Sequence, residues 1–285
     1  MGIGIEARCF NEVLLTQVLK EVNHLKSMGF MLDFGIIGSG AIGLALFKLI
    51  NLNQAKVQLF GRGDRLKDAK IYLIATKAFD AGIALQEIIC SEIDIDIAVV
   101  LCNGFVINPF GQLNFPTILG SVSFGSFLEH GIPVISSINF DSIKIGSKDS
   151  HKNKCEGLLA LPYCVWDDDI EKVAQTKWLF NTVINSLCAA HRLPRNGLLL
   201  DYPNELKNIF SEAFLLGEKL YGNFSTSNSK LWNQLLILVK GTENNPNSMF
   251  VDLERRRKTE AKYFSGCAIG LDGFSELKKL HGYLA

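Results

Sequence analysis

Lys177, Asn181 and Asn185 recur at every fourth residue in the stretch TKWLFNTVINSLCAA (Thr176–Ala190). On a helix that spacing draws one slowly drifting polar stripe. Around it stand Trp178, Leu179, Phe180, Val183, Ile184, Leu187 and Cys188, and Lys177 is the only charge in the stretch. A helix this apolar is expected to be largely buried, where an unpartnered polar group costs about 1–3 kcal/mol. Two arrangements meet that need. The stripe can bond backbone carbonyls in a seam between domains, or it can line a cleft and meet a polar substrate. The second would make Lys177 useful, because desolvation lowers an ammonium's pKa towards neutrality, where it can give up its proton.

A second constellation lies in NPNSMFVDLERRRKTEAKYFSG (Asn245–Gly266). Asn245 and Ser248 flank an expected helix start, where serine is a natural N-cap. Glu260 stands twelve residues after Ser248. On pattern alone it is equally an exposed helix glutamate, paired with a neighbouring lysine or arginine. Lys77 follows the apolar run IYLIAT, and Asn103 follows IAVVLC. Ligands in open α/β sheets lie outside the carboxyl ends of the strands, so both are candidates; either can also be an ordinary loop residue.

FGIIGSGAIGLAL (Phe34–Leu46) reads as a buried strand, a glycine turn and a helix. Gly38, Ser39, Gly40, Ala41, Ile42 and Gly43 fit G-x-G-x-x-G. The first glycine allows the tight turn, the second lets a pyrophosphate approach, and the third packs helix on strand. The helix N-terminus favours the anion. After the second strand, Lys56–Phe60, the chain continues Gly61-Arg62. A guanidinium there suits the 2′-phosphate of NADPH. Asp64 lies two residues on, and a shifted loop would present a carboxylate suited to NADH.

These groups need a scaffold. The expected strands are Phe34–Ile37, Lys56–Phe60, Ile71–Ala75, Ile97–Cys102 and Val134–Ser137, with shorter ones at Ile143–Ile145 and Leu158–Leu161. Helices are expected at Ile42–Asn51 and Ala81–Cys90. Such alternation predicts a parallel sheet covered by helices. Gly146–Gly157 is a polar, mostly basic loop, expected to be a solvated hairpin. From Asp167 the pattern turns helical, with Ile170–His191, Glu205–Tyr221, Lys230–Lys240 and Ser248–Ser265. The fold class is therefore α/β. A Rossmann-type domain (residues 31–166) precedes an all-helical domain (residues 167–285), and residues 1–30 form a helical extension. The 285 residues carry zero formal net charge, which gives no support for nucleic-acid or acidic-membrane binding. The 7 cysteines show no CxxC pair and read as free thiols in a reducing cytosol. The 5 histidines show no metal-binding spacing, and no apolar run reaches transmembrane length.

GSGAIG, Arg62, TKAFD around Lys77, CNG around Asn103, KWLFNTVINSLCAA, NxxSM with Glu260 behind it, and YFSG together resemble the ketopantoate reductase (2-dehydropantoate 2-reductase) family. The likeness runs from about Met31 to Gly266. It implies that Lys177 is the catalytic lysine with Glu260 as its catalytic partner. It puts substrate on Asn103, Asn181, Asn185, Asn245 and Ser248. It puts the cofactor on Gly38–Gly43, Arg62, Lys77 and Asn103. The implied activity is NADPH-dependent reduction of a small 2-keto acid, ketopantoate to pantoate, in cytoplasmic pantothenate and coenzyme A biosynthesis. No metal, nucleic acid or membrane partner is implied, and a homodimer is among the assemblies to consider. Two other readings stay open: another two-domain NAD(P)-dependent 2-hydroxy-acid or opine-type dehydrogenase, and a nucleotide-binding regulator without turnover.

Three features depart from the family. Only residues 61–70 separate the second strand from IYLIAT, where the family has several tens of residues. Gln175 stands where a tryptophan is usual, and the segment after Gly266 is short and lacks the usual proline. A crossover helix needs a dozen or more residues. Ten extended residues reach roughly 33 Å, enough for a bare link. The sheet is therefore expected to lack a helix and the strands beyond it.

Overall fold

The computed structural model describes residues 33–110, 113–136, 138–148 and 151–284. The extension expected over residues 1–30 lies outside the described residues. The chain splits into two compact units. One takes the chain up to Thr76, Ile83–Leu101 and Gln112–Asp168. The other takes Lys77–Gly82, Cys102–Gly111 and Asp169–Ala285. Two short segments of the first half thus belong with the helices of the second.

The first unit holds strands β1 (Asp33–Ile37), β2 (Lys56–Phe60), β3 (Ile71–Ile74), β4 (Ile97–Val100), β5 (Thr117–Val122), β6 (Gly125–Glu129), β7 (Ile132–Ser136), β8 (Ile143–Gly146) and β9 (Cys164–Trp166). Seven of them form one sheet in the order β2-β1-β3-β4-β5-β8-β9. The five strands from β2 to β5 are parallel. β3 and β4 are buried at every residue. That is why IYLI and IAVV are unbroken apolar runs: a parallel strand covered on both faces has no solvent side. Helix α1 (Ala41–Leu52) follows the glycine turn and places Ala45, Leu46, Leu49 and Ile50 in the core of this unit.

β8 runs antiparallel to β5, so the sheet is mixed rather than purely parallel. The strand expected at Val134–Ser137 is β7, and it pairs with β6 in a separate antiparallel hairpin. Of Leu158–Leu161, expected as a strand, Leu158 and Leu159 end a short helix, α3 (Glu156–Leu159), and the other two lie in the turn after it. The polar loop before it closes into a 3₁₀ turn at Lys152–Cys155, not a solvated hairpin.

β2 is the edge of the sheet, and residues 61–70 return from it to β3 without helix or strand. The bare link is anchored by its own residues. Leu66 and Ala69 are buried, and the Tyr72 hydroxyl donates to the Lys67 carbonyl.

Helix α2 (Ala78–Cys90) begins in the second unit. That unit otherwise holds α4 (Ile170–Ala190), α5 (Pro203–Tyr221), α6 (Asn228–Gly241), α7 (Ser248–Glu254) and α8 (Ser275–Leu284). Its core forms where Trp178, Leu179, Val183 and Leu187 of α4 meet Leu206, Ile209, Phe210 and Ala213 of α5. Gln175 is buried there. Its Nε2 donates to the Gly222 carbonyl at 2.6 Å and the Gly217 carbonyl at 3.4 Å, closing the C-terminus of α5. α7 spans only seven residues, so the long helix expected over Ser248–Ser265 is corrected. The chain leaves it at Arg256, where φ is 53°, and a backbone in that region cannot continue a right-handed helix.

Candidate active site

The first unit carries the glycine turn. Gly38 has φ of 120°, and a Cβ there would sit 2.6 Å from the Ala75 carbonyl oxygen. A Cβ on Gly43 would fall 1.7 Å from the Gly38 oxygen. Both glycines are demanded by the protein's own packing. Gly40 is different: a Cβ there meets nothing within 4 Å, and its φ of −77° suits any residue. Gly40 also occupies the N-cap of α1, and among the described residues no side-chain cap bonds the helix's first N–H groups. Open space beside unbonded N–H groups at a helix start fits a dinucleotide pyrophosphate. Gly40→Ala is therefore expected to leave Tm unchanged while weakening dinucleotide binding at least tenfold. Gly43→Ala is expected to lose the fold. Thermal melts and a cofactor titration of both variants check this pair.

At the end of β2, the Gly61 N–H donates to the Asp64 carboxylate at 2.7 Å. Arg62 and Arg65 are exposed in the same short turn. A Cβ on Gly61 would stand 3.7 Å from the Ser39 hydroxyl, so the turn lies beside the glycine loop. The cations at this position fit a cofactor phosphate, and one Asp64 oxygen is already engaged by the backbone.

The second unit gathers the remaining candidates. Lys77 precedes α2 and Ala78 opens it, and both meet Glu260. The Lys77 ammonium donates to Glu260 Oε2 at 3.3 Å, and the Ala78 N–H donates to Oε1 at 2.9 Å. Glu260 is buried and lies outside any α-helix, so it is not the exposed helix glutamate that its pattern suggested. Lys77 also reaches Asp252 Oδ2 at 2.6 Å, and Arg257 reaches Asp252 Oδ1 at 2.7 Å. Burial opposes the charge on Lys77, but Glu260 and Asp252 outweigh it and hold its pKa above the ordinary lysine value. Asn103 precedes Gly104, whose φ is 87° and whose Cβ would collide with Tyr263 at 2.7 Å. The loop carrying Asn103 is thus packed on the segment that carries Glu260.

Lys177 makes no hydrogen bond or ion pair among the described residues. Burial pulls its pKa from 10.5 down to about 8, although Glu260 and Cys102 pull the other way. Desolvation wins because the ammonium has no direct anionic contact to replace its water. Asn181, one turn on, also has no hydrogen bond among the described residues. Asn185 differs: its Oδ1 accepts from Asn247 Nδ2 at 3.0 Å. The stripe therefore divides into two groups without a hydrogen-bond partner among the described residues and one held by Asn247.

Asn247, not Ser248, is the N-cap of α7. Its Oδ1 accepts from the backbone N–H of Met249 and Phe250. Ser248 is left exposed at the first helical position, without the capping role expected of it. Asn245 lies two residues before the cap, and its carbonyl accepts from the Asn196 N–H at 3.3 Å. Four residues that matter here were not singled out from the sequence: Asp252, Arg257, Asn196 and Asn247. Asp252 and Arg257 sit in a charged run that reads as solvated helix. The Asn-Gly pair at Asn196 reads as a turn. Among the described residues no group of three or more metal-ligating side chains exists, and no helix is long and apolar enough to cross a membrane.

Comparison with known proteins places these features. Residues 169–271 match the family model described as ketopantoate reductase PanE/ApbA C terminal. The 2-dehydropantoate 2-reductase of Yersinia pestis is 30% identical over 107 residues, 38% of this chain and 34% of that enzyme. The match thus spans about a third of that relative's length. The 2-dehydropantoate 2-reductase of Escherichia coli O157:H7 is 24% identical over 208 residues, covering 71% of this chain and 67% of the relative. Among solved structures, a PanE/ApbA family ketopantoate reductase from Ralstonia eutropha shares the fold with a TM-score of 0.73 at 16% identity, over 88% of this chain and 96% of that one. D-mandelate dehydrogenase, solved with NADH and anilino(oxo)acetate, has the same fold with a TM-score of 0.73 at 13% identity, over 88% and 96%. The segment that carries the Lys177 stripe and Ser248–Glu260 thus matches the C-terminal region of the ketopantoate reductase family, and the chain shares its fold with solved members of that family.

Proposed function

We propose that the protein reduces a small 2-keto acid with NADPH, and that the substrate is 2-dehydropantoate (ketopantoate), reduced to pantoate for pantothenate and coenzyme A synthesis in the cytoplasm. The observation that carries this reading is Lys177: an ammonium with a pKa of about 8 and no ion-pair partner among the described residues, on a helix face shared with Asn181. Such a group hydrogen-bonds a ketone oxygen and protonates the alkoxide that forms, since it is charged at neutral pH yet close enough to neutrality to release a proton. NADPH, when bound, supplies the hydride. Gly40 and the start of α1 would hold its pyrophosphate, and Arg62 its 2′-phosphate. Glu260 keeps a negative charge near Lys177 and is itself fixed by Lys77 and the Ala78 N–H. Ser248, Asn103, Asn181, Asn185 and Asn245 would complete the polar shell around substrate. A homodimer is part of the proposal.

A second reading follows from Asp64. Its carboxylate stands at the end of β2, where an acidic side chain would accept from the ribose hydroxyls of NADH. That reading is an NADH-dependent 2-hydroxy-acid dehydrogenase. Cofactor consumption over a panel of 2-keto acids, with both nucleotides, tests the two together. Arg62→Ala sharpens the test. A charge-assisted hydrogen bond contributes about 1.5–3 kcal/mol, roughly tenfold to a hundredfold in Kd. The variant is expected to weaken NADPH by that factor and leave NADH nearly unchanged. Equal losses would make Arg62 structural, and a wild-type preference for NADH would transfer the assignment to Asp64.

A further inference from the structure

The hydrogen bonds around Asn247 determine which way three amides face, those of buried Asn247 and Asn185 and of half-buried Asn196. The N–H groups of Met249 and Phe250 can only donate, so the Asn247 atom facing them, at 3.1 and 3.0 Å, must be its oxygen. Its Nδ2 is then turned the other way and can only donate. Nδ2 meets Asn185 at 3.0 Å and Asn196 at 3.1 Å, so both must present their oxygens. Asn196 Nδ2 in turn donates to Thr242 Oγ1 at 3.1 Å, and the Thr242 hydroxyl donates to the Leu238 carbonyl at 2.8 Å. One end of this relay stays open. The Nδ2 of Asn185 has no partner among the described residues, although Asn185 is only 9% exposed. It lies on the stripe of Lys177 and Asn181. Eight residues separate it from Lys177, roughly 12 Å along the helix axis, a distance that a lysine stem and a small ligand can share.

We infer that Asn247 is a positioning residue that holds the Asn185 amide as a pure donor, so that the substrate group received there is an acceptor, one oxygen of the carboxylate. This inference rests on the 2-keto acid reading. It gives Asn247 a role in specificity beyond capping α7. The start of that helix sets the polarity of a residue 62 positions away in sequence.

Asn247→Asp tests it. A carboxylate still caps the helix, and is favoured there by the helix dipole. Its second oxygen now faces two amide oxygens, so Asn185 must turn its NH₂ towards the introduced carboxylate and its oxygen towards the substrate. The ratio of kcat/KM for the 2-keto acid to that for the corresponding 2-keto amide is expected to fall at least tenfold, with Tm within a few degrees of wild type. Asn247→Ser keeps a cap but no clamp, and is expected to lower the ratio about threefold; it serves if the aspartate variant does not fold. An unchanged ratio in folded variants reduces Asn247 to a helix cap and overturns the inference. A readout independent of turnover is hydrogen exchange of the Asn185 side-chain NH₂ in an ¹⁵N-labelled sample without ligand, identified by its loss in Asn185→Asp. Exchange should be fast in wild type and slowed in Asn247→Asp. Slow exchange in wild type, or no change in the variant, overturns the inference. Absence of turnover by wild type with either nucleotide on any 2-keto acid would sink the functional reading instead, and the exchange measurement would still decide the role of Asn247.

Discussion

Replacing Lys177 by alanine is expected to lower kcat by about 10²–10⁴, the usual loss for a general acid, while NADPH binding stays nearly intact. Retention of kcat within about threefold would remove Lys177 as the proton donor. The pH profile gives an independent check. The donor must be protonated, so kcat/KM should be level below pH 8 and fall as pH rises through the pKa of about 8. The same shift has a signature in stability. The folded protein holds the proton on Lys177 less tightly than the unfolded chain, whose lysine titrates near 10.5. Below about pH 8 the charged, desolvated ammonium costs stability. That cost is relieved as pH rises from about 8 to 10.5. Lys177→Met is accordingly expected to raise Tm at pH 7, with the gain fading towards pH 10.5. An inactive variant that melts lower at pH 7 would mean a structural lysine.

Glu260→Gln is expected to lower kcat/KM by about tenfold to a hundredfold, from the loss of about 1.5–3 kcal/mol of charge-assisted bonding. The glutamine oxygen can still accept from the Ala78 N–H, but its NH₂ then faces the Lys77 ammonium. Glu260 also raises the Lys177 pKa against burial. Without that charge, Lys177 loses its proton more easily, so the basic limb of the profile should move to lower pH. A profile measured across pH 6–10 decides the point. A fall in rate with an unmoved limb would confine Glu260 to holding Lys77.

Some of this was readable from residue order because it depends on local chemistry. The glycine turn, the runs IYLI and IAVV, and the α4 stripe follow from spacing and burial alone. Several of the failures share one cause: the deciding partner lies far away in sequence. Arg, Lys and Glu are good helix formers, so Glu254–Glu260 reads as helix. The chain instead turns at Arg256 and brings Asp252 and Glu260 to Lys77. β5 was missed because Gly120 and Ser121 interrupt its apolar pattern. Gly120 is needed there, since a Cβ would meet Leu101 at 2.5 Å. Two residues of the NPNSM segment qualify as caps, and only the bonds to Asn185 and Asn196 explain why Asn247 takes that place.

Residues 33–76, with the bare link between β2 and β3, form one continuous stretch of chain. The cradle around Gly38–Gly43 can therefore close as soon as β3 is made. The helical unit cannot. Lys77 must wait for carboxylates 175 and 183 residues further along. At typical synthesis rates of about 5–20 residues per second, that wait is on the order of 10–40 s. For that time the nascent chain holds the glycine-turn strands beside a lysine whose counter-charges have not been translated. The assembly of the candidate catalytic residues is thus one of the last events in folding, and a chain released before Glu260 contains the cradle without the groups that would use it.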